Sequence, residues 1–225
     1  MITKKILISS TLAAFVLIGC GGGSTSTTTG YLVDSAVVNA DYDCTADGSI
    51  NKTTGADGSF TCKNMSQVRF RIGKLVLGEI HALHADKHVF PQDLVGVARD
   101  TGINNTRVVA MAQLLQSLDS DGNPENGIAI AQETKTMVAE TERAFNPDEL
   151  TIYQDSASVV YRPTPVQAQQ HLEQTLQNVV GTVQDVQDTV QDTAQDTQDT
   201  AQDTQDTAQD TAHDAQDTAQ TIVGM

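Results

Sequence analysis

The sequence predicts an α+β protein: a small antiparallel β-sandwich module packed with a few helices, then a long low-complexity tail, helical or disordered. Three observations predict this. Residues 31–78 are rich in β-formers and punctuated by Asp-Gly pairs. Residues 105–145 carry helical apolar spacing between capping residues. From residue 163 the chain passes into a repeat of Ala, Gln, Asp and Thr that cannot build a core. The division is therefore 1–19 signal peptide, 20–30 acylated cysteine and tether, 31–78 β-module, 79–162 helical segment with an acidic loop, and 163–225 acidic tail.

Of the 225 residues, about 140 remain for a folded body, the length of one domain. Trp is absent and aromatics make up 4%, so the core is small and aliphatic. The formal net charge of −16 argues against nucleic acid and anionic lipid surfaces as partners, because both require Lys and Arg. After Arg162 there is no Lys or Arg, only Glu173 and ten aspartates.

The chain opens "MITKKILISSTLAAFVLIGCGGGS". Lys4 and Lys5 precede an apolar run from Ile6 to Ile18, which is shorter than the roughly 20 residues of a membrane span and suits a secretory signal. Leu17-Ile18-Gly19-Cys20 resembles the lipobox of bacterial lipoproteins. That resemblance implies cleavage before Cys20, acylation of its sulfur and its amine, and anchoring to the membrane through lipid. Gly21 stands where an Asp would retain such a protein in the inner membrane, which points to the outer membrane, on its periplasmic or surface face. The run Gly21–Gly30 is a flexible tether.

In the β-module Val68, Phe70 and Ile72 alternate with Arg69 and Arg71, placing apolar and charged side chains on opposite faces. "TADGS" and "GADGS" supply hairpin turns, since Gly accepts positive φ and Asp bonds its local backbone. The string "GYLVD…AVVNADY…TGADGSF" resembles the prealbumin-like modules of bacterial surface proteins, the carboxypeptidase-regulatory-like and collagen-adhesin B-type repeats. The likeness covers Gly30 to Gly78, with Asn39 where the pattern has Gly, and implies a spacer or binding platform. Cys44 and Cys62 flank the turns and, in an exported chain, are expected to pair, closing a loop that stabilises by about 3 kcal/mol. Two separate buried thiols are the alternative.

Two clusters offer metal donors. In "EIHALHADKHVF" His81, His84 and His88 would share one face if the segment were a helix, as ligands for Zn²⁺ or Cu²⁺ with Glu79 beside them. A polar connector is the plainer reading, with Pro91 close behind. Asn105 or Thr106 caps a helix to Leu118 with the stripe Val108, Met111, Leu114, Leu115 and Leu118. The loop after it, "DSDGNPENG", alternates Asp119, Asp121, Asn123 and Glu125, oxygen donors suited to Ca²⁺. It lacks the bidentate acid at its twelfth position, where Ile130 stands, and a polar turn is the plainer reading.

A further helix is expected over Ala131–Phe145, a connector with a short strand at Val159–Tyr161, and a last helix opened by Thr164, Pro165 and Gln167 in capping-box spacing. His171 within it is a packing or surface residue. The seven-residue unit A-Q-D-T-Q-D-T continues one small-residue stripe from Leu172 to Ile222. Asp at i, i+3 and i+4 opposes the helix by repulsion, and Ala and Thr bury too little for a strong coiled coil. No catalytic constellation is marked and no cofactor is required. The chain is expected to be a non-enzymatic, lipid-anchored envelope protein with a structural or interaction role of the surface-display kind. Its tail is available to a protein partner or to self-association. The alternative is a metal-binding lipoprotein.

Overall fold

A computed structural model describes residues 27–223. It is a mixture of sheets and helices in which the β-rich and helical parts share one core. The strands are β1 (Thr28–Leu32), β2 (Val37–Val38), β3 (Asp41–Cys44), β4 (Ser49–Thr53), β5 (Ser59–Cys62), β6 (Val68–Ile72), β7 (Leu75–Ile80), β8 (His88–Val89), β9 (Ile128–Ala129) and β10 (Arg143–Ala144). The helices are α1 (Pro91–Val95), α2 (Thr106–Ser117), α3 (Gln132–Met137), α4 (Leu150–Ser156) and α5 (Pro165–Val223).

One sheet runs β10-β7-β6-β3-β4, a second β5-β1-β8, and β2 pairs with β9. The period-2 pattern holds: Val68, Phe70 and Ile72 are buried, while Arg69 and Arg71 face outward. Phe60 of β5 meets Phe70 of β6 edge to face at 4.9 Å between ring centres, and Cys44 of β3 is bonded to Cys62 of β5. The two larger sheets are thus joined by an aromatic contact and a covalent link. The hairpin pairs are antiparallel as expected, but β8, β9 and β10 each join in parallel. All three come from beyond residue 78, so the later chain completes the sheets that the module begins.

The Asp-Gly pair of TADGS makes the expected hairpin turn between β3 and β4, whereas that of GADGS is a turn but not a hairpin, since it leads from β4 to β5 in a different sheet. Gly58 has φ of +76°, and a Cβ there would lie 2.5 Å from the carbonyl oxygen of Leu32. Asp57 accepts the amide of Ser59. Gly73, between β6 and β7, is more constrained: a Cβ would lie 1.8 Å from the carbonyl oxygen of Lys135. That close approach lets the Lys135 ammonium, almost fully buried, reach Asp41 at 2.6 Å. α3 is fastened to β3 in this way.

Asn105 caps α2, accepting from the amides of Arg107 and Val108. Its whole predicted stripe is buried. Residues 81–87 form turns, in line with the polar connector, and β8 follows, because His88 and Val89 pair alongside β1. Two expectations are corrected. The helix expected to run to Phe145 stops at Met137, since Arg143 and Ala144 pair with β7 instead. The short strand expected at Val159–Tyr161 does not form; α4 occupies Leu150–Ser156 just before it, burying Tyr153.

α5 is one helix of 59 residues, about 88 Å at 1.5 Å per residue. Its capping box is complete: Gln167 N donates to Thr164 Oγ1, and Thr164 N donates to Gln167 Oε1. Among the described residues, its first turns are the part that docks. Ala168 and Leu172 are buried with Val33, Phe90, Val108 and Ala112, and Leu176 and Val179 pack at the margin.

Candidate functional site

The residues named as metal donors are spread over different tasks. His81 is exposed, 3.8 Å from Glu79. His84 lies 3.3 Å from Asp93. His88 stacks on Tyr31 at 5.3 Å, and its Nδ1 lies 2.5 Å from the carbonyl of Asp86, which makes that nitrogen the donor. Loop carboxylates are spent on backbone amides. Asp119 accepts from Asn123 N and Ala129 N, and Asp121 accepts from Asn123 N and from the Asn126 side chain. The two acids are driven apart: burial foremost raises Asp119, and the Asn126 amide foremost lowers Asp121. Among the described residues, the only trio of Cys, His, Asp or Glu donors lying within 4.8 Å of one another is Cys44, Asp47 and Cys62. There the sulfurs are bonded to each other, which removes the thiolates a metal needs. Cys20 lies outside the described residues.

A different cluster forms where α5 meets the body. The tight turn between β1 and β2 carries Asp34 and Ser35, with Ser35 at φ of +62°. Asp34 is completely buried. Gln116, on the last turn of α2, donates from Nε2 to both Asp34 oxygens, at 3.1 and 3.3 Å, and to the carbonyl of Ala168 in α5 at 3.1 Å. The flipped amide would set its oxygen against three acceptors, so these contacts fix its orientation. Gln116 Oε1 is then buried without a partner. One turn along α5 from Ala168, the nearly buried ring of His171 places Nε2 3.2 Å from the Asp34 carbonyl, 3.1 Å from Ser35 Oγ and 3.9 Å from an Asp34 carboxylate oxygen. Its Nδ1 lies 3.1 Å from Glu125, and Ser35 N donates to Thr175 Oγ1 at 3.2 Å.

Burial pushes the Asp34 carboxyl up to about 7, against the opposing pull of His171 and Gln116. A carboxylate with no water around it holds its proton. Beside the cluster is a cleft of about 560 Å³, lined by Gln116, Glu125, Tyr161, His171, Glu173 and a row of glutamines on α5.

Ser35, His171 and Glu125 stand in the order of a nucleophile, a base and an orienting carboxylate. Nε2 has two partners, the Asp34 carbonyl, which only accepts, and Ser35 Oγ, which donates or accepts, so the ring's tautomer decides which of them it bonds. Nδ1 faces the Glu125 carboxylate. The cluster joins α2, α5 and the β1–β2 turn through a buried acid and a nearly buried histidine. Sequence reasoning passed over Asp34, Ser35 and Gln116 and read His171 as packing. The available signal was an acid inside the apolar run "YLVDSAVV".

Compared with family descriptions, curated proteins and solved structures, the chain matches none.

Proposed function

We propose that this is a lipid-anchored protein of the bacterial cell envelope with a structural or interaction role, whose body carries a long acidic helix for spacing or interaction.

 The observation that carries this reading is α5: its first turns are buried against α2, while the residues of its repeat described from Thr193 to Gln205 are exposed. Its threonines do not call for a partner, since Thr193, Thr197, Thr200, Thr204 and Thr207 each donate to the carbonyl four residues back in the same helix. A rod of one charge sign, satisfied by its own backbone, keeps its distance from other acidic surfaces and stays soluble.

The anchor is read from Leu17-Ile18-Gly19-Cys20, and the exported setting agrees with the paired Cys44 and Cys62. The paired sheets suit the β-sandwich module that the early Gly and Asp-Gly turns resemble. Among the described residues no helix is long and apolar enough to cross a membrane, so on this reading attachment is through Cys20.

The test is metabolic labelling with a fatty-acid analogue, followed by fractionation. The wild-type chain is expected to take up label and sediment with membranes. Cys20→Ala is expected to lose both. Equal retention of the variant in the membrane fraction overturns the anchor.

A further inference from the structure

We propose that the joint between α5 and the body is a proton-operated latch, in which uptake of one proton by the Asp34–His171 cluster seats the root of α5 and its loss loosens it. This rests on the docking geometry and not on what the projecting helix does.

Three elements meet at Asp34: its own β1–β2 turn, α2 and α5. From α2 it faces the neutral amide of Gln116, from α5 the ring of His171, and beyond that ring stands Glu125. His171 is the one titratable group among the causes that act on Asp34. Four polar contacts tie α5 down here: Gln116 to Ala168 O, His171 to Asp34 O, His171 to Ser35 Oγ, and Ser35 N to Thr175. Three of them end on one turn, and the fourth comes from the amide bonded to that turn's fully buried carboxyl.

When α5 leaves, Asp34 loses its cover and regains the ordinary acidity of an aspartate. When α5 sits, burial favours the protonated acid. The docked state therefore binds the proton more tightly, and by linkage docking weakens as pH rises from the ordinary aspartate range of about 4 towards 7. Above 7 the acid is ionised in both states and the dependence ends. A small loosening at the root is magnified along a helix of about 88 Å.

The experiment is hydrogen–deuterium exchange on the full chain from pH 5 to 8, with opening constants corrected for intrinsic exchange. For the amides of residues 166–179 the opening constant is expected to climb about tenfold per pH unit from 5 to 6.5 and to level off above 7. The amides of α2 should not follow. Asp34→Asn, equal in size and unable to ionise, is expected to give a flat profile. A flat wild-type profile, the same climb in the variant, or α2 opening in step with α5 each overturns the latch. If Asp34→Asn does not fold, the carboxyl carbon of Asp34 is titrated by NMR in the unchanged protein: a midpoint near 7 supports the latch and one near 4 overturns it.

Discussion

Asp43 and Asp34 show how neighbouring aspartates take opposite signs. Burial pushes Asp43 up, but Arg71 reverses this, bonding both carboxylate oxygens at 2.9 and 3.0 Å, so the net shift is downward. A folded value below the unfolded one means stability that is present above the ordinary aspartate range and lost as pH falls through the folded value. Melting temperature should therefore drop between pH 5 and 2, and Arg71→Met should remove part of that drop. At pH 7 the same variant leaves a largely buried carboxylate without its partner and should cost about 3 kcal/mol in urea unfolding. An unchanged midpoint would show that the pair adds nothing. Asp34 differs because the group nearest to it is a neutral amide. Neither environment could be read from the residue alone: "VD" and "YD" look alike as sequence, and only the fold sets a guanidinium against one and apolar packing around the other.

At the scale of elements, patterns with a local cause were legible. The cap at Asn105, the stripe of α2, the alternation of β6 and the capping box of α5 all follow from side chains meeting their own backbone or their own face. Elements that failed to appear as expected did so through distant pairing. Residues 138–145 have helical composition, yet Arg143 and Ala144 complete the edge of β7, a choice that depends on a strand more than 60 residues earlier. The tail tests the local argument in isolation. A peptide of residues 183–225 has the helical spacing but also an unrelieved aspartate stripe. Circular dichroism should show helix that is weaker in dilute buffer at pH 7 than near pH 3, below the ordinary aspartate value of about 3.9, with a smaller gain at high salt. Strong helicity independent of pH would mean that self-association outweighs the repulsion. No gain under either condition would mean that the stripe does not govern the helix.

For the whole molecule, the disulfide has the widest reach. It bonds β3 to β5 across 18 residues and so joins the two larger sheets. The double variant Cys44→Ser, Cys62→Ser should lose about 3 kcal/mol by urea unfolding, with the wild type under reducing conditions falling equally. No loss would mean that the aromatic contact between Phe60 and Phe70 suffices. The cysteine pair and the acidic tail belong to the sequence by itself, as do the expectations of an address and a tether, because each rests on covalent chemistry or on composition over a short stretch. The joint of Asp34, Gln116 and His171 was decided by tertiary structure alone. Its members lie 82 and 55 residues apart, and a carboxyl becomes a proton store only when three separate elements close over it and exclude water.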